Sequence, residues 1–133
     1  MRLGSTPLAA GGALVLMLLA GCSAPASSAG DVHDADLVGD WRPVAFEGET
    51  TPHLEFARDG VVTASDGCNV SSGRWDVGPR GDLVTTVDGQ TEMGCDGVPV
   101  IVWLMDTATV DLDGDELVLL DDAGDELGRL TRA

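Results

Sequence analysis

The hydrophobic and polar positions of the chain alternate in short runs after Leu37, the pattern of β-strands with one buried face. Turns rich in Gly and Asp separate the runs, since these residues tolerate the backbone angles of tight turns. The runs lie at 41–46, 53–56, 61–64, 73–77, 83–87, 110–112, 116–120 and 126–130. The last three predict a meander of two hairpins. The pattern as a whole predicts a mainly β domain of antiparallel strands.

Three residues of the first two runs carry local predictions. Pro43 cannot donate to a sheet ladder, so we expect its strand at a sheet edge. We expect Trp41 to be a core anchor rather than a ligand platform, and His53 to be exposed and to have no functional role.

The segment from Val98 to Ala108 fits two structures. Its β-branched residues favour a strand. Val98, Ile101, Val102 and Met105 also recur at helical spacing and would form one apolar face, with Asp96 as a cap and Pro99 in the first turn. Periodicity alone leaves both open.

Residues 1–21 are typical of a bacterial lipoprotein signal peptide. Arg2 is followed by an apolar run that is too short for a membrane span. The run ends in Leu19-Ala20-Gly21-Cys22, which resembles a lipobox, in which Cys22 receives a lipid and becomes the first mature residue. An ordinary signal peptide cut at a small residue is the alternative. A diacylglyceryl group supplies the two chains that stable anchoring needs, and we expect the protein on the extracytoplasmic side of the membrane.

Residues 22–36 contain the lipidated cysteine and a stretch with almost no large apolar side chain. Such a stretch cannot bury enough surface to offset its ordering entropy, so we expect a flexible tether that includes a solvated His33. One folded domain is then expected at residues 37–133.

Cysteine counting leaves one pair once Cys22 is set aside. Cys68 and Cys95 lie 27 positions apart in a chain expected outside the cytoplasm, so we predict a disulfide. In the chain-entropy treatment, closing this loop would stabilise the folded state by about 3.6 kcal/mol. A metal pair or a reactive thiol is the alternative, but two cysteines without CxxC spacing and two histidines make a poor zinc set.

The charge is strongly acidic. The chain has 23 Asp plus Glu against 7 Arg, no Lys, and a formal net charge of −16. Removal of residues 1–21 takes away Arg2 and no acid, which makes the net charge −17. A field of this sign repels nucleic acid and anionic lipid, so neither is expected as a partner.

Candidate chemistry is sparse. The turn from Asp111 to Glu116 invites a calcium interpretation, but glycine does not stand at the sixth position of an EF-hand loop. Turn chemistry at Gly114 explains it. A Ser-His-Asp set would need His33 or His53, and there is no nucleophile elbow and no phosphate-binding glycine loop. Paired carboxylates have no distinguishing context. We therefore expect no enzyme activity, no metal and no cofactor.

A family resemblance rests on several short motifs in order. They are Leu37-x-Gly39-x-Trp41, Gly67-Cys68-Asn69 with Gly73, Thr91-x-Met93-x-Cys95, and Asp115-Glu116-Leu117-x-Leu119. In this order and spacing the chain from Leu37 onward resembles the META domain, the HslJ-like group of bacterial envelope proteins.

The resemblance implies a fold and a role. The implied fold is a strongly bent antiparallel sheet or partly open β-barrel with one helix, which places a helix near 98–108. Gly67, Asn69, Gly73, Thr91 and Met93 would set the shape around the bridge. The implied role is non-catalytic, in stress or antibiotic tolerance, through contacts with an envelope protein.

A hydrophobic small-molecule or lipid-binding β module is the alternative function. Trp75, Trp103, Met93 and Met105 would line its pocket, whereas otherwise they form the core.

Overall fold

The computed structural model describes residues 30–88, 94 and 97–133. Within them, eight strands and two short helices follow one another along the chain. They are α1 (Asp34–Leu37), β1 (Gly39–Pro43), β2 (His53–Phe56), β3 (Val61–Ser65), β4 (Val70–Val77), β5 (Leu83–Asp88), α2 (Val100–Asp106), β6 (Thr109–Asp113), β7 (Glu116–Leu120) and β8 (Glu126–Arg132). The strands predicted from alternation are confirmed, with two shifts: the first spans 39–43 rather than 41–46, and β4 begins three residues earlier than expected.

The strands form one antiparallel sheet that curls into a partly open barrel. Their order is β5-β4-β3-β2-β1-β8-β7-β6, with each neighbouring pair antiparallel. The two edge strands meet at one point, where Asp82 bridges Thr109. The amide of Val110 donates to Gly81 O at 2.8 Å beside this bridge. The predicted fold class is therefore confirmed.

Strand β1 lies between β2 and β8, so the prediction of an edge strand from Pro43 is wrong. Pro43 is the last residue of β1 and pairs with Leu130 of β8, while the pairing with β2 reaches only to Trp41. The amide of Val44 donates to Arg129 O. Because successive residues of a strand point their hydrogen-bonding groups to opposite sides, the missing N–H of Pro43 faces the side where pairing has already ended.

Helix α2 confirms the helical alternative, but it buries a different face from the predicted one. Ile101 and Leu104 are each 1% exposed and Val100 is fully buried, whereas Val102 is 48% and Met105 is 60% exposed. Two apolar stripes run along this segment, and their spacing does not say which one faces the barrel. The helix starts at Val100 with Pro99 as its N-cap residue, and Asp96 lies outside the described residues.

Trp41 is a core anchor, as predicted. Its side chain is 1% exposed, and its indole N–H donates to Leu37 O at 2.7 Å. The guanidinium of Arg132 stacks over the ring at 4.3 Å and also donates to two carbonyls at the end of α1, those of Asp36 and Val38. The last residues of β8 thus hold α1 against the barrel.

The packed domain begins earlier than the predicted boundary. Val32 is 3% exposed, and its amide donates to Pro79 O at 3.2 Å. Helix α1 then buries Leu37 completely. The tether predicted through Asp36 therefore extends too far, because a single apolar residue such as Val32 gives no periodic signal. His33 is exposed, as expected.

Candidate functional site

The turn that carries Cys68 is built around the side chain of Asp66. Its Oδ1 accepts hydrogen bonds from the amides of Cys68 at 2.9 Å and Asn69 at 2.7 Å. Its Oδ2 accepts from the side-chain amide of Asn69 at 2.9 Å. Ser65 Oγ accepts from the amide of Gly67 at 3.1 Å. These residues, Ser65–Asn69, are called the cysteine turn, and they join β3 to β4 as predicted.

The carboxylate of Asp66 is held in its charged form. Burial alone would raise its pKa, but the side-chain hydrogen bond from Asn69 and the backbone amides of Asn69 and Cys68 outweigh burial, so the pKa lies below its ordinary value. Asn69 is itself buried, at 6% exposure. The predicted shape-setting role of Asn69 thus has a physical basis: it saturates the acceptor that organises the turn.

Two glycines of the motif fit positions that a larger residue could not fill. Gly67 has φ of 104°, and a Cβ there would lie 2.6 Å from Thr50 Oγ1. A Cβ on Gly73 would overlap the backbone oxygen of Thr86, only 1.6 Å away, in the strand that pairs with it. Gly73 therefore permits the close approach of β4 and β5, and Gly67 permits both the turn and its contact with Thr50.

Several predicted site residues lie outside the described residues. They are Cys22, Thr91, Met93 and Cys95. The bridge from Cys68 to Cys95 and the lipidation of Cys22 therefore stay predictions. The structure places Gly67, Cys68 and Asn69 together in the cysteine turn, whereas Gly73 lies within β4, opposite Val62 near the start of β3.

Sequence reasoning missed the loop of residues 44–52, which joins β1 to β2 at the same end of the sheet. Thr50 of this 44–52 loop packs on Gly67 of the cysteine turn, and its buried Oγ1 has no hydrogen-bond partner. Ala45 adopts φ of 60°, the left-handed conformation that is uncommon outside glycine. The polar, alternation-free stretch Glu47–Thr51 signalled a loop but not its packing.

Two adjoining clefts flank the 44–52 loop. Their volumes are about 560 and 390 Å³, and they share Phe46, Gly48, Glu49 and Thr50 as walls. The Phe46 ring lies against Gly48, where a Cβ would be 2.4 Å from the ring. The sharing of four residues makes the two clefts one continuous surface.

A third cleft, of about 470 Å³, lies at the opposite end of β1. Helix α1 contributes Asp34 to its wall, the β2–β3 turn contributes Arg58 and Asp59, and β4 contributes Trp75 and Asp76. The carboxylates there lie beside an arginine.

The negative charge of the acidic turn between β6 and β7 is neutralised by Arg129 of β8. Arg129 donates to Asp113 Oδ2, Glu116 Oε2 and Glu126 Oε1, each at 2.9 Å. The three carboxylates, Asp113 foremost, raise the pKa of Arg129. Across the described residues, no group of three or more His, Cys, Asp or Glu side chains is arranged to hold a metal ion. The guanidinium occupies the place that a calcium interpretation would give to the ion.

The two tryptophans of the pocket hypothesis pack into or against the core. Trp75 is 8% exposed and meets Phe56 edge to face at 4.9 Å, and its indole N–H donates to Ala57 O at 3.0 Å. Trp103 is half-buried against Gly128. Met105 is exposed rather than part of either a pocket or the core, and Met93 lies outside the described residues.

His53 is half-buried on β2, and its Nδ1 lies 3.1 Å from Thr51 O. The prediction of an exposed imidazole is therefore only partly right.

In the part of the chain that the structure describes, no helix has the length and apolarity needed to cross a membrane. Comparison with curated proteins gave no match, and comparison with solved structures gave none either. The family model of the META domain matches residues 35–133, from within α1 to the last residue. Because this match spans nearly three quarters of the sequence, the chain belongs to the META domain family.

Proposed function

We propose that the protein is a non-catalytic lipoprotein of the cell envelope, anchored through Cys22, whose META domain acts through contacts with an envelope protein. The observation that carries the proposal is the lipobox-like Leu19-Ala20-Gly21-Cys22 directly after an apolar run, ahead of a META domain. A chain of this design is delivered to a membrane and held there by lipid.

The charge supports the same proposal. Without residues 1–21 the chain has a formal net charge of −17, so it is repelled by anionic lipid heads and stands off the membrane, and its retention depends on acyl chains. A domain held in this way offers its surface for contact with an envelope protein. A contribution to stress or antibiotic tolerance is the physiological role that we propose with it.

The geometry of the described residues supports contact rather than chemistry. The carboxylate of Asp66, which has a lowered pKa, accepts its hydrogen bonds from Cys68 and Asn69 of its own turn. The carboxylates around Arg129 are likewise engaged with that side chain. Both sets stabilise the fold, and neither is arranged around a reacting position.

Lipidation is tested by growing cells that express the full chain with an alkyne-tagged fatty acid and then fractionating them. The expected result is label on the wild-type protein and its recovery with membranes. Cys22→Ser should lose the label, while Cys68→Ser serves as the matched control and should keep it. Equal labelling of Cys22→Ser, or an unlabelled wild type in the soluble fraction, would overturn the anchor.

The absence of catalysis is tested separately, by screening the purified full chain against model ester, peptide, glycoside and phosphate substrates. We expect no turnover above buffer. Turnover that persists through repeated purification and disappears in a single Asp or Glu variant would overturn this part of the proposal.

A further inference from the structure

We propose that the 44–52 loop, with the two clefts beside it, is a docking surface for a basic protein segment that carries apolar side chains. This inference rests on the proposed function, because a domain that acts by contact needs a surface for its partner. It goes further by naming that surface and the chemistry of the partner.

The walls of the two clefts combine one aromatic ring with carboxylates. Phe46 is shared by both clefts, and Glu47 and Glu49 on either side of Gly48 are exposed. An ammonium or guanidinium next to such carboxylates is attracted to them, while its alkyl stem can pack on the ring. The surface therefore favours Lys or Arg side chains interleaved with apolar ones.

Charge complementarity excludes an acidic partner. Of the described residues that line either cleft, only Arg42 is a cation, and its guanidinium lies 3.9 Å from the carboxylate of Asp40. The chain as a whole has a formal net charge of −16. A basic segment is steered toward this field, whereas a second copy of the same chain is repelled by it.

The position of the loop suits contact with a partner. Helix α1 precedes the start of β1 and the 44–52 loop follows its end, so a five-residue strand of about 16 Å separates them. If lipid holds the chain ahead of α1, the loop lies at the end of the domain away from the chain's entry. The third cleft, with Asp34 in its wall, lies at the entry end.

The loop is also held in shape before any partner arrives. Thr50 packs on Gly67 of the cysteine turn, and Pro52 is buried at the start of β2. A surface that is already ordered loses little conformational entropy on binding. The cysteine turn therefore supports the loop from beneath.

The test uses the purified full chain in zwitterionic nanodiscs, with empty discs as the blank. The probe is a fluorescent peptide of alternating Lys and Leu, titrated at 150 mM salt and followed by anisotropy. We expect saturable binding. Carbodiimide then joins Lys amines to carboxylates with loss of water, and mass spectrometry should find the peptide on Glu47 or Glu49.

The decisive comparison uses two variants with the same change in charge. Glu47→Gln/Glu49→Gln should weaken peptide binding at least tenfold. Asp31→Asn/Asp115→Asn should change it less than twofold, because both residues are exposed at the opposite end of the barrel and salt screens distant charges. Asp31 precedes Val32, which is hydrogen-bonded to Pro79, and Asp115 lies in the β6–β7 turn. Phe46→Ala should also weaken binding, and a Gln-for-Lys peptide should not bind.

Each other outcome overturns the docking surface. Equal losses in the two double variants would mean unspecific charge attraction, and cross-links confined to Asp34, Asp59 or Asp76 would move the site to the third cleft. No saturable binding at all would also overturn it. If Cys22 carried no lipid, the same titration would run in buffer without discs, so failure of the anchor and failure of the surface are scored separately.

Discussion

At the scale of single residues, the cysteine turn is held by hydrogen bonds within the turn itself. Asp66 accepts three hydrogen bonds across the cysteine turn, and Asn69 supplies two of them. Gly67 and Gly73 provide space that any Cβ would fill. The part of the motif that the structure describes, Gly67-Cys68-Asn69 with Gly73, is therefore explained by backbone geometry and by one saturated carboxylate.

Asp66→Ala should destabilise the domain. It removes three hydrogen bonds and leaves the buried amide of Asn69 without its acceptor, so we expect a loss of about 1–3 kcal/mol at pH 7. Urea denaturation measures the loss. Asp122→Ala, at an exposed position in the β7–β8 turn, is the control and should stay within about 0.5 kcal/mol of the wild type.

The difference between the wild type and Asp66→Ala should depend on pH with a defined sign. The pKa of Asp66 is lower in the folded chain than in the unfolded chain, so its stabilisation is complete above the unfolded pKa near 3.8. It is lost as the pH falls through the folded pKa. The gap should therefore shrink below about pH 4. A gap that widened there would contradict the lowered pKa.

At the scale of elements, the helix and the final meander are fixed in different ways. Helix α2 has an apolar side that faces the barrel and another apolar pair, Val102 and Met105, that faces solvent. The meander of β6, β7 and β8 joins three carboxylates to Arg129 on its outer surface. Packing against the barrel orients α2, whereas the ion pairs of Arg129 join the strands of the meander.

The two faces of α2 should differ sharply in their response to truncation. Leu104→Ala removes a side chain that is 1% exposed and should cost about 2–5 kcal/mol of unfolding free energy. Met105→Ala, one residue on but 60% exposed, should stay within about 0.5 kcal/mol. Chemical denaturation of both variants measures this. A larger loss for Met105→Ala would restore the face predicted from the sequence.

Arg129→Gln should lower the melting temperature, because it leaves Asp113, Glu116 and Glu126 facing one another without their cation. Millimolar calcium should recover part of the loss in this variant, since carboxylate oxygens are the ligands that this ion prefers. Calcium should leave the wild type unchanged. Arg80→Gln, at an exposed loop position, is the control. Calcium stabilisation of the wild type would show that Arg129 does not fill the site.

At the scale of the whole molecule, alternation in the sequence predicted most of the strands, whereas the partly open barrel was implied by the family resemblance. Period-two patterns and Asp-Gly turns are local signals, so β3, the cysteine turn and the meander follow from them. The buried face of α2, the central position of β1 and the burial of Val32 are set by which surfaces meet in three dimensions. The contact of Thr50 with Gly67 joins distant segments, and no local pattern encodes it.

The predicted disulfide between Cys68 and Cys95 would stabilise the whole domain. Cys68 lies in the turn on which the 44–52 loop rests, so a bridge would tie that support to the segment before α2. Closing the loop should contribute about 3.6 kcal/mol, less any strain. Dithiothreitol should therefore lower the urea midpoint of the wild type.

Cys68→Ser/Cys95→Ser should show the lower midpoint with or without reductant, which separates loss of the bridge from other effects of reduction. Cys22→Ser is the matched control and should respond to dithiothreitol as the wild type does. Mass spectrometry of the exported protein, alkylated before reduction, should find neither Cys68 nor Cys95 modified. Alkylation of both would contradict the bridge, and the stability of this acidic domain would then have to come from the barrel core alone.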